Sequence, residues 1–310
     1  MKTLDILAFG EPLMEFAEVE RNGEHLFLPG FGGDASNAAI AAARQGARCG
    51  IFTAVGDDAF GRRFLSLWDA EGVDRSTVIQ HSGGRTGVYF ISYGTAGHEF
   101  SYARAGSAAS LVTPEDIPQA RIAAAKVLHV TGISQGISMS CADAVFAAIR
   151  HARACGTTVS YDTNLRLRLW PLDRARATIH AALALSDIAR PGLDDARQLT
   201  GLDRPEDICA AYLGLGCSIV ALTMGKAGTM VAVNGRLEVI PSRPVEAVDA
   251  TGAGDAFGGA FLAEWLRVGD PFAAAAYANA AAALSTLGKG GVAPLPHRPE
   301  VEQFLAQGHP

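Results

Sequence analysis

Residues 248–259 read Val-Asp-Ala-Thr-Gly-Ala-Gly-Asp-Ala-Phe-Gly-Gly, a turn of small residues that leads into an apolar stretch suited to a helix. Such a turn leaves the backbone N–H groups of Gly252, Ala253 and Gly254 free to point at an anion, with the positive end of the helix dipole behind them. Asp255 follows in the first helical turn, where a carboxylate repels phosphate but suits a base for an attacking hydroxyl. The pattern predicts a phosphoryl-transfer site. The alternative is a capped helix whose glycines only allow tight packing.

The composition indicates a well-buried chain without a nucleic-acid footprint. Of its 310 residues, 49% are hydrophobic and 19% charged, and the net charge of −6 comes without a basic run. The five cysteines form no Cys-x-x-Cys pair, which argues against a disulfide framework or a zinc site and favours a reducing compartment. The N-terminus reads as a first strand, and the alanine-rich run 273–287 is too short for a membrane span. We therefore expect a cytoplasmic protein with neither nucleic-acid nor membrane partners.

Short apolar runs alternate with longer helical patterns along most of the chain. The predicted strands are 5–10, 49–55, 126–131, 157–162, 187–190 and 218–223. The predicted helices are 35–45, 59–71, 140–154, 173–184, 205–215, 256–267 and 271–287. This alternation predicts an α/β fold with a mostly parallel sheet covered on both faces, in which ligands gather at the carboxyl ends of the strands.

Two segments break the alternation, because each contains a hairpin signal and neither is followed by a crossover helix. The first carries Asn22-Gly23, and the second carries Gly-Thr-Ala-Gly at residues 94–97. We expect residues 13–30 and 86–106 to form one small antiparallel sheet that acts as a lid. Its predicted hinges are Gly30, Gly32 and Gly33 in the first arm, and Ala105 and Gly106 in the second. The alternative places these strands at the edge of the main sheet.

A glycine-rich turn before the first predicted helix is the next informative stretch. Residues 31–39 read Phe-Gly-Gly-Asp-Ala-Ser-Asn-Ala-Ala. Asp34 is the predicted N-cap, and Asn37 lies about one turn into the helix. An amide at that position can both donate to and accept from a polyol. A purely structural asparagine is the alternative.

Polar and cationic residues cluster at the end of one predicted strand and on the predicted lid. Residues 160–166, Ser-Tyr-Asp-Thr-Asn-Leu-Arg, end in Arg166, which suits a clamp for phosphate or carboxylate or else a surface salt bridge. Strand alternation puts Tyr102 and Arg104 on one face, and Tyr89 lies on the preceding strand. These three side chains form either a polar, aromatic binding patch or a packing surface.

The sequence signal for a nucleotide-binding region is weaker. Residues 223–228, Thr-Met-Gly-Lys-Ala-Gly, are a strand end and a turn whose glycines allow close approach of a nucleotide to the backbone. Asn279 is a lone polar residue in the alanine-rich helix. It is suited to meet a purine ring or, alternatively, to cap a neighbouring loop.

Taken together, these stretches resemble the PfkB/ribokinase family of sugar kinases nearly end to end. The resemblance rests on Gly10-Glu11, Gly32-Gly33 with Asn37, Gly56-Asp57-Asp58 with Gly61, Asp162-x-Asn164-x-Arg166, Thr223-x-Gly225-x-x-Gly228 and Gly252-Ala253-Gly254-Asp255. The family fold is a mostly parallel central sheet between helices with a small β-lid over the sugar. Residues 9–15 and 102–110 look most like the 2-keto-3-deoxygluconate kinases of this family.

The resemblance implies ATP-dependent phosphorylation of the terminal hydroxyl of 2-keto-3-deoxygluconate, with Asp255 as the base. It implies that the sugar is held by Gly33, Asn37, Tyr89, Tyr102, Arg104, Arg166 and Asp255. It implies that the nucleotide is held by Asn164, Arg166, Thr223, Gly225, Gly228, Gly252, Gly254 and Asn279. A fructokinase, a ribokinase and a catalytically silent sugar-acid sensor are the alternatives.

The expected metal is Mg²⁺, and its site departs from the family pattern. Many relatives have Asn-x-x-Glu before a Leu-Thr-Gly, whereas here Gly192 replaces the asparagine and Asp195 keeps a carboxylate. The resemblance also allows a K⁺ requirement. The predicted lid face favours a homo-oligomer.

Overall fold

The computed structural model describes residues 2–94, 97–233 and 235–307. Within these ranges the chain forms thirteen strands and eleven α-helices. The strands are β1 (Leu4–Phe9), β2 (Leu13–Arg21), β3 (Glu24–Gly32), β4 (Cys49–Gly56), β5 (Asp74–His81), β6 (Gly87–Gly94), β7 (Gly97–Ala103), β8 (Ala125–Thr131), β9 (Thr158–Asp162), β10 (Ile188–Arg190), β11 (Ile219–Thr223), β12 (Thr229–Val233) and β13 (Arg236–Ile240). The helices are α1 (Asp34–Arg44), α2 (Ala59–Ala70), α3 (Gln119–Ala124), α4 (Gly132–Gly136), α5 (Met139–Ala154), α6 (Leu172–Leu183), α7 (Leu193–Thr200), α8 (Pro205–Gly214), α9 (Ala253–Val268), α10 (Pro271–Ser285) and α11 (Arg298–Ala306).

The main sheet has the strand order β13-β12-β11-β10-β9-β8-β1-β4-β5. Its strands pair in parallel from β5 to β11, and β12 and β13 extend it as an antiparallel edge. The chain runs outward from β1 in one direction through β4 and in the other through β8, so the strand order reverses at β1. Ligands of open α/β sheets bind at such a reversal, beyond the carboxyl ends of the strands. The predicted mostly parallel sheet is confirmed.

Two apolar cores cover the two faces of this sheet. Along β1, Leu7 and Phe9 pack into one core and Ile6 and Ala8 into the other, as the two-residue period of a strand requires. Helix α9 packs against both α1 and α10 on the second face. The N-termini of α1 and α9 are therefore held side by side near the strand ends.

The small sheet is separate and has the order β3-β2-β6-β7. Its two hairpins are antiparallel and join through a parallel pairing of β2 with β6. In the first turn Asn22 and Gly23 both have positive φ, as the Asn-Gly signal predicts. In the second predicted turn, Thr95 and Ala96 lie outside the described residues. The alternative of an extended main-sheet edge is wrong.

Several element boundaries differ from the sequence prediction. Helix α9 begins three residues before the predicted start, because Gly252 takes a left-handed conformation and serves as its N-cap. The predicted N-cap role of Asp34 is wrong. Gly33 occupies that position with φ 102, and its carbonyl accepts from the N–H of Asn37. Within the described part of the chain, every helix is too short or too polar to cross a bilayer.

Candidate active site

A cavity of 1020 Å³ opens between the carboxyl ends of the main-sheet strands and the small sheet. It brings together most of the residues that the sequence predicted. Those that line it are Gly33, Asn37, Tyr89, Tyr102, Arg104, Asn164, Arg166, Asp195, Thr223, Gly252, Gly254 and Asp255. The lining also includes five acidic or basic residues that were not predicted as site residues, namely Glu11, Asp34, Asp162, Arg168 and Arg190.

Asp255 lies in the first turn of α9 and borders the cavity. Its Oδ2 accepts a hydrogen bond of 2.8 Å from Nδ2 of Asn37. Desolvation and the negative charge of Asp34 raise the pKa of the Asp255 carboxyl to about 8, against the opposing effect of the Asn37 bond. A carboxylate whose pKa lies near neutral pH is suited to accept a proton from a substrate hydroxyl.

Asn37 has a free acceptor beside this carboxylate. Its Oδ1 is buried and has no hydrogen-bond partner within the described residues. The amide therefore donates to Asp255 on one side and has acceptor capacity left on the other. A hydroxyl that bonded this oxygen would satisfy a group that the protein leaves unpaired.

The N-terminus of α9 forms the predicted anion site only in part. Gly252 has φ 75 as the N-cap, and Gly254 lies in the first turn, where N–H groups lack a partner four residues back. The N–H of Ala253 donates to the carbonyl of Ala250 at 3.2 Å. The prediction that all three amides are free is therefore wrong for Ala253, because its N–H closes the turn.

A charged cluster lies at the ends of β9 and β10, beside Asp255. Arg190 donates through Nη2 to Asp162 Oδ2 at 3.1 Å and to the carbonyl of Gly254 at 3.0 Å. Burial raises the pKa of Asp162 to about 6, although the charge of Arg190 opposes the rise. Asn164 donates through Nδ2 to Asp34 at 2.9 Å, which links β9 to the start of α1.

The small sheet supplies the opposite wall of the cavity. Tyr89 and Tyr102 are directly opposed across the β6/β7 pair, with ring centroids 5.8 Å apart, and the Arg104 guanidinium lies 5.7 Å from the Tyr102 ring centroid. The Tyr89 hydroxyl donates to the carboxylate of Glu15. Sequence alternation thus correctly placed the two tyrosines as neighbours.

Arg104 has a partner that the sequence did not reveal. Its Nη2 donates to the buried carboxylate of Glu11, which also accepts from the Ser107 hydroxyl at 2.5 Å. Burial raises the pKa of Glu11, and the positive charge of Arg104 opposes the rise. The Nε of Arg104 is buried and has no partner within the described residues. A signal was present in Gly10-Glu11 after the first strand, but nothing in the sequence connected it to residue 104.

Arg166 and Asp195 lie near each other at the cavity wall. Arg166 donates to the carbonyl of Leu165 at 2.8 Å, and Asp195 accepts from the N–H of Leu165 at 2.8 Å. Burial raises the pKa of Asp195, while the Leu165 bond and the charge of Arg166 oppose the rise. The described residues contain no group of three metal-ligating side chains. A lone carboxylate nonetheless fits Mg²⁺, which is usually held by one or two carboxylates, water and substrate phosphates.

Of the four predicted nucleotide-binding residues in β11, in the turn after it and in α10, only one borders the cavity. Thr223 does, whereas Gly225, Gly228 and Asn279 are not part of its lining. A Cβ at Gly228 would overlap the carbonyl of Ile240, which gives that glycine a packing reason. The Asn279 amide accepts from Thr229 at 2.7 Å and donates to Ile240 at 2.9 Å, as the loop-capping alternative expects. Nucleotide contacts of these three residues stay predictions.

Comparison with known proteins assigns this geometry to a family. Residues 4–298 match the model of the pfkB family of carbohydrate kinases. The chain belongs to this family. Membership makes it an ATP-binding phosphotransferase that acts on a carbohydrate, and the predicted ribokinase-like fold is confirmed.

Relatives within the pfkB family differ in the substrate that their names give. The chain is 35% identical to a 2-dehydro-3-deoxygluconokinase of Thermoproteus tenax, over 97% of this chain and 94% of the relative. It is 33% identical to fructokinase-1 of Zea mays, over 97% of each chain. A fructokinase of Vibrio cholerae, solved with fructose, ADP and calcium, superposes with a TM-score of 0.87 at 27% identity, over 98% of this chain and all of that one.

Proposed function

We propose that this pfkB protein transfers the γ-phosphoryl group of ATP to the terminal hydroxyl of 2-keto-3-deoxygluconate. The observation that carries the proposal is that the cavity lining includes the cations Arg104 and Arg166. The carboxylate of a sugar acid is bound best by cationic hydrogen-bond donors, and each such charge-assisted hydrogen bond contributes roughly 1.5–3 kcal/mol net to binding. Arg104 has a buried Nε without a partner among the described residues, and its guanidinium lies 5.7 Å from the ring centroid of Tyr102.

One observation favours fructose as the second candidate. Glu11 is buried against Arg104 and offsets its charge, so the sugar end of the cavity is less cationic than the arginines alone suggest. A neutral keto sugar would then need no further counter-charge. The fructokinases among the relatives agree with this alternative.

The mechanism follows from the positions of Asp255 and the α9 N-terminus. Asp255 accepts the proton of the terminal hydroxyl as that oxygen attacks phosphorus, and Asn37 holds the carboxylate in place. First-turn N–H groups of α9, with the helix dipole behind them, stabilise the charge on the transferring group. Asp195 would hold Mg²⁺, which would supply positive charge to the phosphate oxygens. Closure of the small sheet excludes water, so hydrolysis does not compete.

Three further properties belong to the same proposal. The free cysteines of the chain support a cytoplasmic location. The exposed side chains of Leu26, Phe27 and Leu28 on β3 support self-association through the small sheet. A requirement for K⁺ stays a prediction.

Steady-state phosphorylation of ketodeoxygluconate, fructose and ribose tests the substrate directly. We expect kcat/KM for the sugar acid to exceed that for fructose by about 10-fold or more, because charge-assisted contacts with two arginines serve only the acid. A preference for fructose of the same size would overturn the assignment. Binding of the sugar acid by a protein that phosphorylates no sugar would instead support the silent-sensor alternative.

A further inference from the structure

Arg190 is a buried cation with unused hydrogen-bonding capacity. It ends β10, borders the cavity and is 3% exposed. Its Nη2 makes both of its described bonds, to Asp162 and to the Gly254 carbonyl, while Nε and Nη1 have no partner within the described residues. A buried, half-satisfied guanidinium is a poor stabilising device, because each unpaired donor carries a desolvation penalty.

Helix α9 leaves space for this guanidinium. A Cβ at Gly258 would overlap the Arg190 guanidinium, and the Phe257 ring centroid lies 6.0 Å from its central carbon. Glycine inside a helix costs about 0.5–1 kcal/mol relative to alanine. Gly258 therefore lowers the stability of α9, but the absence of a side chain there leaves room for Arg190 to reach the first turn of the helix.

The bond to Gly254 connects Arg190 to the reaction. Gly254 precedes Asp255 and belongs to the turn that faces the phosphoryl group in the proposed mechanism. Asp162, the second partner, ends the neighbouring strand β9. One guanidinium group thus ties the ends of β9 and β10 to the backbone next to the base.

We propose that Arg190 is a positioning residue for phosphoryl transfer, which fixes the α9 N-terminus against the strand ends and places a positive charge beside Asp255. The proposal deepens the proposed function and rests on it for the reaction in which Arg190 acts. It assigns to Arg190 no contact with sugar or nucleotide. Its effect on turnover passes through the Gly254 carbonyl and the Asp255 carboxylate.

The charges around Asp255 set the direction of the electrostatic effect. Asp34 on α1 and Asp162 on β9 both raise the pKa of Asp255, and Arg190 on β10 lowers it. Tyr89 on β6 also faces this carboxylate, and burial with nearby negative charge raises the pKa of its phenol, so it stays neutral. Loss of Arg190 should therefore raise the pKa of Asp255 above about 8 and reduce the fraction of base at neutral pH.

The experiment compares Arg190→Met and Arg190→Lys with the parent protein. Carboxyl ¹³C NMR of aspartate-labelled protein follows the Asp255 titration, and the resonance is assigned by its absence in Asp255→Asn. We expect Arg190→Met to raise the Asp255 pKa by about 1 unit and to lower kcat about 10- to 100-fold, with KM changed less than about threefold. Arg190→Lys keeps the charge but cannot bridge both partners, so the pKa should stay near the parent value with a smaller loss of kcat.

Two further variants separate positioning from general loss of structure. Gly258→Ala keeps every charge and adds a good helix former, yet should displace the guanidinium and lower kcat as Arg190→Met does. Arg298→Met removes a partly buried arginine that bonds Glu264 and the Gln45 carbonyl instead, and should leave kcat and the Asp255 titration unchanged. Gly258→Ala and Arg190→Lys also keep the test decisive if Arg190→Met fails to fold.

An unchanged Asp255 titration in Arg190→Met, together with a kcat loss no larger than that of Arg298→Met, would overturn the inference. Failure of the proposed function gives a different result. In that case the parent protein phosphorylates no sugar, while the NMR titration still reports whether Arg190 controls the Asp255 carboxyl.

Discussion

The two walls of the cavity differ in the side chains that they present and in charge. The small sheet presents stacked aromatic rings with Arg104 at their edge, and Tyr102 is 41% exposed. The main-sheet floor instead gathers Asp162, Arg190 and Asp255, with two carboxyl pKa values raised by burial. We infer that the small-sheet wall recognises the ligand and that the floor, where the carboxyl of Asp255 has a pKa of about 8, moves the proton.

This difference predicts that substitutions in the two walls change different kinetic properties. Changes to the floor should lower kcat for every sugar, because proton transfer and phosphoryl transfer are common to all of them. Changes to the small sheet should alter the choice between sugars, because only some substrates carry a carboxylate.

The largest expected effect belongs to the base on the floor. Asp255→Asn should lower kcat about 1000-fold on any sugar substrate, because the amide cannot accept the hydroxyl proton. Sugar binding, measured by calorimetry, should change little. The matched control is Asp173→Asn, since the Asp173 side chain is 97% exposed on α6. Retention of kcat within about tenfold in Asp255→Asn would show that another group takes the proton.

The next effect should be selective for the acidic substrate. Arg104→Met combined with Glu11→Gln should lower kcat/KM for ketodeoxygluconate about 10- to 100-fold and that for fructose less than about threefold. The double variant is used because Arg104→Met alone would leave Glu11 as a buried, unpaired carboxylate and destabilise the fold. Melting temperatures check that both walls stay folded. Equal losses of kcat/KM on both sugars would mean that Arg104 does not bind the substrate carboxylate.

A smaller effect should appear as a shift in pH dependence. Asp34 raises the pKa of Asp255, so Asp34→Asn should lower that pKa, and the acid limb of kcat/KM should move from about 8 toward lower pH by about 1 unit. Rates at high pH should stay close to those of the parent. The readout is the pH profile from 6 to 9.5, a range set at about two units around the limb. An unmoved limb, or one moved upward, would contradict the assignment of Asp255 as the titrating base.

The features that could be predicted from the sequence are those that neighbouring residues encode. The turn at residues 252–255 and the helix after it are local signals, so the position of Asp255 in the first turn of a helix at the cavity was predictable from one stretch. The Tyr89–Tyr102 pair was also predictable, because a short hairpin fixes which residues are opposed. The small sheet was predictable for the same reason, and its role as a lid stays a prediction.

The missed residues depend on contacts between distant parts of the chain. Glu11 meets Arg104 across 93 residues, and Arg190 meets the Gly254 carbonyl across 64. No local period or spacing encodes such a pairing. Strands β12 and β13 were also missed, although the residues of β13 alternate between polar and apolar as in a strand.

The most direct test is a crystal structure of Asp255→Asn with an ATP analogue, Mg²⁺ and ketodeoxygluconate bound. The account predicts the terminal hydroxyl within about 3.2 Å of the residue 255 side chain and the sugar carboxylate against Arg104 and Arg166. A sugar bound the other way round, with its carboxylate at the floor beside Arg190 and its terminal hydroxyl under the tyrosines, would contradict it.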